Sequence, residues 1–258
     1  MRFRADEETA LFAESVRGVL AGWEGPREPR FGDWWDERNE ALDAALAALG
    51  WSELWASEEL LGAAVAGGAE LGRAVAPLCL VDDATLGGPL CVEGRARHAA
   101  GRIAGGVPEP SLDGTGTLRE VDLPLVAEPE RLRAWGVVTL AYLAGVAAVA
   151  LERTLQHTRS REQFGAPLAA LPGVQARLAD AALVADGIEL AAWHAATADR
   201  AFPRDALLWA GGACREATAF SLQAHGAVGF ALESGLHRAF RRAKTVQVWT
   251  EGLLRALR

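Results

Sequence analysis

The feature that most constrains the fold of this 258-residue chain is a nearly continuous apolar stretch at residues 137–151. It lies inside a longer helical pattern, from about residue 132 to residue 158. A helix that is apolar on most of its sides is normally buried. The stretch is also shorter than the roughly 20 apolar residues that a membrane-spanning helix needs. We therefore expect a central core helix and no association with a membrane.

Three more helical patterns follow, at residues 174–200, 204–224 and 233–249. Pro172 and Pro203 precede two of them, and the first turn of a helix tolerates proline. Four long helices joined by short connections are typical of a helical bundle. The second half of the chain is therefore predicted to be a four-helix bundle.

The first half shows helical patterns at residues 7–23, 36–49 and 58–75. Between residues 91 and 127 the pattern changes to short alternating pieces, broken by glycines and a DGTGT segment. This stretch predicts a hairpin or a loop, and it is too short for a complete β domain.

The chain is accordingly predicted to be mostly α and to have three parts. These are an N-terminal helical domain at 1–90, a shortened middle segment at 91–127 and the bundle at 128–258.

Charge and composition exclude several classes of function. The net charge of −8, with acidic and basic residues interspersed, argues against nucleic-acid binding through a basic surface. The opening residues MRFRADEET lack the apolar core of a secretory signal, so we expect a cytoplasmic protein. Cys79, Cys91 and Cys214 show no CxxC or Cys/His spacing, so we expect buried small side chains and no metal site.

Two segments are more specific than helical periodicity. In the first, Arg161 is followed by FGAPL at 164–168, and then by VQ at 174–175 and LAD at 178–180. In the second, Gln223, Gly226 and Gly229 form a turn ahead of a basic helical segment. They occur in the order and at the separation found in one enzyme family.

Together the two segments resemble the signature of the acyl-CoA dehydrogenase family. ALGWSEL at 48–54 and ELGRAVAP at 70–77 look like the N-terminal helical domain of that family, so the resemblance covers nearly the whole chain. The exception is the middle, where the family has a β domain beside the flavin ring and the acyl thioester. The resemblance implies an N-terminal helical domain and a C-terminal four-helix bundle, with the middle β domain largely missing.

The resemblance implies that FAD is the cofactor, and four residues match positions that contact it. Arg161 suits the pyrophosphate, because a guanidinium is always charged and binds anions through paired hydrogen bonds. Phe164 would form an apolar wall. Gln223 and Gly226 would approach the adenosine end, where glycine lets the backbone come close to a ligand.

The chain departs from the family at the catalytic base. The family uses a carboxylate to remove the α-proton of the thioester, at one of two alternative positions. Those positions are Thr250 and Trp135 here, so no catalytic residue is predicted. Glu251 lies one residue late, which on a helix turns a side chain by about 100°.

Two positions that would contact FAD also differ from the family pattern. Pro172 replaces a glutamine and has no donor, and Ala227 replaces a glycine of the turn.

The resemblance therefore implies a subunit of an FAD-dependent enzyme for α,β-dehydrogenation of an acyl-CoA thioester, with a steroid side-chain thioester as one candidate substrate. We expect it to complete the FAD site of a homologous full-length acyl-CoA dehydrogenase subunit in an α2β2 heterotetramer, with the acyl-CoA mainly on that partner. Two alternatives stay open. One is a self-sufficient compact enzyme that uses Glu251 as its base, and the other is an interaction subunit without a ligand.

Overall fold

The computed structural model describes residues 6–23, 40–54, 56–86, 107–110, 117–120, 129–197 and 201–256. Cys91, the side chain of Cys79 and most of the middle segment lie outside the described residues. The helices are α1 (Glu7–Ala21), α2 (Glu40–Ala48), α3 (Leu61–Arg73), α4 (Cys79–Leu86), α5 (Pro129–Ser160), α6 (Pro172–Thr197), α7 (Arg204–His225) and α8 (Leu236–Ala256).

Strands form two antiparallel pairs in the described part of the chain. β1 (Val107–Pro110) pairs with β2 (Thr117–Glu120), and β3 (Glu162–Gln163) pairs with β4 (Ala166–Pro167). The first pair lies in the segment that was predicted to be a hairpin or a loop. The prediction of a mostly α fold in which the middle β domain is largely missing is confirmed.

Helix α5 is the centre of the core. It has 32 residues, and its side chains are buried almost without interruption from Arg133 to Ala147. By length and composition α5 could also cross a membrane, which the shorter apolar stretch did not predict. However, 83% of its most apolar window is buried inside the fold, as in the core helix of a globular protein.

Helices α3 and α5 cross with their backbones in contact. A Cβ on Gly72 would overlap the carbonyl oxygen of Tyr142, and a Cβ on Gly145 would overlap that of Ala69. Glycine is therefore required on both helices, because any side chain would push them apart. This crossing fixes the N-terminal helices against the bundle.

A buried arginine ties α8 to the same crossing. Arg242 is only 1% exposed, and its Nη1 donates to the Ala76 carbonyl oxygen at 2.6 Å and to the Tyr142 hydroxyl at 2.9 Å. The Tyr142 hydroxyl donates to the same carbonyl at 2.6 Å. Because a buried charge is costly without such partners, this network holds α8, α5 and the α3–α4 connection in one arrangement.

Some boundaries differ from the sequence prediction. Residues 58–75 were predicted to form one helix, but they form a 3₁₀ helix, Glu58–Leu60, followed by α3. Helix α4 was not predicted, and α8 continues to Ala256 instead of ending near residue 249. Thr250 and Glu251 therefore lie within a helix and not in the loop after it.

We predict that Gly145→Ala lowers the free energy of unfolding by about 1–3 kcal/mol, the usual cost of overpacking. The matched control is Gly212→Ala on α7, where a Cβ meets nothing within 4 Å. Because alanine is the better helix former, the control should raise stability by roughly 0.5–1 kcal/mol. Urea unfolding of the two variants measures both values, and equal effects would contradict the close crossing.

Candidate cofactor-binding site

The carboxyl ends of α5 and α7 lie side by side. The rings of His157, near the end of α5, and His225, the last residue of α7, stack with centroids 4.1 Å apart and planes 22° apart. Arg161 follows His157 by one helical turn, and Gly226 directly follows His225. The structure thus brings the two signature segments to the same end of the bundle.

The segment after α5 is a tight hairpin. Strands β3 and β4 are joined by Phe164 and Gly165, whose φ angles are 57° and 79°. Positive φ at both central residues is what a type I′ turn needs, and phenylalanine adopts it only with strain. The Phe164 side chain is nevertheless 91% exposed. The hairpin therefore holds an aromatic ring away from its own fold.

The segment after α7 is a glycine turn. Gly226 has φ 61° and ψ −141°, a conformation that is essentially restricted to glycine, and its N–H donates to the Gln223 carbonyl. A Cβ on Gly229 would meet the Leu222 carbonyl oxygen at 2.6 Å. Glycine is needed at position 226 because of the backbone conformation there, and at position 229 because a side chain would clash with α7.

The exposed surface at this end is apolar around a positive charge. Val228 and Phe230 of the 3₁₀ helix Gly226–Phe230 are 60% and 67% exposed. Arg161 and Gln223 are also exposed, and the Arg161 guanidinium has no hydrogen bond or ion pair in the part of the chain that the structure describes. Arg161 also suits the dipole at the end of α5, where positive charge is favoured without any ligand.

The surroundings of His157 disfavour the charged form of its ring. Partial burial lowers the pKa of His157 below its usual value, and the nearby His225 and Arg161 lower it further. Nδ1 of His225 lies 2.8 Å from the Ser221 carbonyl oxygen, which can only accept, so Nδ1 carries the proton. The sequence analysis did not single out either histidine, although His157 lies one helical turn before Arg161 and His225 directly precedes Gly226.

The two positions of the catalytic base hold packed side chains. Trp135 is 1% exposed, donates from Nε1 to the Asp82 carboxylate at 2.9 Å and stacks on Phe202. Thr250 is also 1% exposed. Glu251 is half-buried and accepts a hydrogen bond from Gln247 Nε2 at 2.8 Å. The buried carboxylate of Asp82 was missed, because it lies on the unpredicted α4.

Other signature residues serve the fold. Leu178 is buried against α7, and Gln175 Nε2 donates to the Ala169 carbonyl oxygen at 3.0 Å. Pro172 begins α6 and Ala227 lies in the 3₁₀ helix after Gln223. A surface groove of about 410 Å³ follows the outer face of α5, lined by Glu152, Leu155, Gln156, Arg159 and Ser160. The predicted site residues do not line this groove.

Comparison with known proteins relates the second half of the chain to one enzyme family. Residues 131–252 match the family model described as acyl-CoA dehydrogenase, C-terminal domain. The chain is 35% identical over 127 residues to 3-sulfinopropanoyl-CoA desulfinase of Paraburkholderia xenovorans, which is 46% of this chain and 32% of that protein. It is 35% identical over 113 residues to cyclohex-1-ene-1-carbonyl-CoA dehydrogenase of Syntrophus aciditrophicus, 41% of this chain and 27% of that protein. The matched part thus spans a third or less of these relatives.

Solved structures show the fold over the whole chain. A variant of the Tcur3481-Tcur3483 steroid ACAD has a TM-score of 0.74 at 21% identity, covering 98% of this chain and 97% of the other. The ChsE4-ChsE5 complex from Mycobacterium tuberculosis gives 0.70 at 18% identity, covering 100% and 98%. Butyryl-CoA dehydrogenase from Megasphaera elsdenii gives 0.75 at 14% identity, covering 99% and 98%.

The chain therefore has the acyl-CoA dehydrogenase fold, and its residues 131–252 match the model of the C-terminal domain of that family. Members of this family use FAD.

We predict that Phe164→Asn leaves stability unchanged or raises it by up to about 1 kcal/mol, because asparagine tolerates positive φ and the exposed ring packs on little. Gly165→Ala, which puts a Cβ at a φ of 79°, should instead lower stability by a similar amount. Thermal unfolding of both variants tests this. A clear loss of stability in Phe164→Asn would mean that the ring supports the fold.

Proposed function

We propose that this chain is a subunit of an FAD-dependent acyl-CoA dehydrogenase and completes the cofactor site of a homologous full-length subunit in an α2β2 heterotetramer. The observation that carries the proposal is that the two segments with the exposed Arg161, Phe164, Gln223 and Gly226 lie at the same end of the bundle, where His157 stacks on His225. Their chemistry fits an aromatic dinucleotide that carries a diphosphate.

Each residue has a task that its environment allows. The exposed guanidinium of Arg161 would bind the diphosphate, and the exposed ring of Phe164 would cover an aromatic ring of the cofactor. Gln223 is exposed, and at Gly226 the backbone can approach the ligand. When bound, FAD supplies the hydride acceptor of the reaction.

Exposure of these residues is the reason for invoking a second chain. Ligand sites typically bury 70–90% or more of a ligand of this kind. Arg161, Phe164, Gln223 and Gly226 are all exposed, so together they would cover one side of the cofactor only. A partner subunit would supply the rest of the site.

The residues at the two base positions also indicate that a second chain is needed. The indole of Trp135 fills one position and the small hydroxyl side chain of Thr250 the other, and neither can act as a carboxylate base. We infer that the base that removes the α-proton, and most of the acyl-CoA site, belong to the partner. Among candidate acyl groups, a steroid side-chain thioester is supported by the structural similarity to the Tcur3481-Tcur3483 steroid ACAD.

The first test is cofactor content. The chain expressed alone should purify without flavin absorbance, because its site residues cover one side of the ligand only. Coexpressed with a full-length acyl-CoA dehydrogenase homologue, it should purify as a complex that holds FAD. A yellow and active protein obtained from this chain alone would overturn the proposal.

The second test is Arg161→Ala in the reconstituted complex. Loss of hydrogen bonds to a charged group, worth roughly 1.5–3 kcal/mol, should weaken FAD binding by about 10- to 100-fold. Arg159→Ala is the matched control, since Arg159 is exposed two residues earlier and lines the α5 groove. Unchanged FAD content in Arg161→Ala would instead favour an interaction subunit without a ligand.

Glu251 supports a second candidate function, a self-sufficient enzyme, because it is a half-buried carboxylate beside a base position. Glu251→Gln separates the two readings, since the amide keeps the shape of the side chain and cannot accept the α-proton. We expect the variant complex to reduce its flavin with acyl-CoA at the normal rate, measured by stopped-flow absorbance. Loss of flavin reduction would identify Glu251 as the base.

A further inference from the structure

The His157–His225 pair stands where the two segments of the candidate site meet. Both rings are half-buried, and they stack at 4.1 Å. His225 donates from Nδ1 to the Ser221 carbonyl oxygen, so its Nε2 is the ring nitrogen that remains to accept a proton. Nε2 of His225 is thus the nitrogen of the pair through which a proton could be gained.

The charges around the pair oppose protonation while the site is empty. Partial burial is the largest cause that lowers the pKa of His157, and His225 at the end of α7 and Arg161, which directly follows α5, lower it further. The β3–β4 hairpin carries one acidic residue, the exposed Glu162. The 3₁₀ helix Gly226–Phe230 has the sequence GAVGF and adds no ionisable side chain.

We propose that the His157–His225 pair takes up one proton when the diphosphate of FAD binds beside Arg161, so that cofactor retention is coupled to pH. This rests on the proposed function. An anion within a few ångströms favours the charged form of a histidine, and it offsets the positive charge of the guanidinium that opposes that form. The diphosphate would thus change the electrostatic potential at the pair from positive to negative.

The proton balance is simple. One proton leaves the solvent and binds Nε2 of His225 or a ring nitrogen of His157, which then becomes a donor toward the anion. No bond to the cofactor forms or breaks. Two positive rings this close together would repel strongly, so the pair takes one proton and not two.

Linkage gives the direction of the effect. The pKa of His157 in the free site lies below its usual value of about 6.5, and the bound anion raises it. Between the free and the bound pKa, FAD binding is accompanied by proton uptake, so affinity is highest at low pH and falls as pH rises. Uptake of one full proton corresponds to about a tenfold loss of affinity per pH unit.

The experiment uses the reconstituted complex with its partner subunit. The FAD dissociation constant is measured by flavin fluorescence from pH 5.5 to 8.5, where the charge of the diphosphate is constant. Calorimetry in two buffers of different ionisation enthalpy counts the protons taken up. Riboflavin, which lacks the diphosphate, is the second ligand and should show no proton uptake.

The wild-type complex should lose affinity as pH rises, and His157→Gln with His225→Phe should flatten that slope by removing both titrating rings. His225→Phe keeps an aromatic ring in the stack, and each single variant provides a second measurement if the double variant fails to fold. His194→Gln, an exposed histidine on α6, is the control and should keep the wild-type slope.

A pH-independent affinity in the wild type, or the same slope in the pair variants, overturns this inference alone. FAD binding that is insensitive to Arg161→Ala would overturn the proposed function together with it.

Discussion

Burial of α5 is the constraint on which the rest of the structure depends. Helices α3, α4, α6, α7 and α8 all pack on it, and its apolar side chains need this cover on nearly every side. The glycine contacts with α3 and the Arg242 network then fix how the surrounding elements sit. Because the helix is held along its length, its carboxyl end carries Arg161 to a defined place beside the end of α7.

Much of this architecture follows from the sequence. The apolar stretch at 137–151 predicts a buried central helix, and Pro172 and Pro203 mark the starts of α6 and α7 to within one residue. Helix α4 was not predicted, since it is a single short helix that packs through tertiary contacts. The end of α8 was also missed, because Gly252 interrupts the helical pattern and glycine disfavours a helix.

The sequence predicts which residues form the candidate site, but it does not predict how they are arranged. Arg161, Phe164, Gln223 and Gly226 come from motif matching, and the structure brings their segments to one end of the bundle. The positive φ of Phe164 is not expected for a phenylalanine, and the stacking of His157 on His225 depends on how α5 and α7 pack together. No local sequence pattern reports a contact between helices so far apart in the chain. The burial of Trp135 likewise depends on its contacts with Asp82 and Phe202, which the sequence alone does not reveal.

The central claim is that the segments after α5 and α7 form one wall of an FAD site whose remainder belongs to another chain. An experimental structure of the complex with a full-length partner and FAD tests it most directly. In that complex the Arg161 guanidinium should lie within hydrogen-bonding distance of the diphosphate, and the Phe164 ring should lie against the cofactor. A cofactor bound entirely within the partner, remote from both residues, would contradict it.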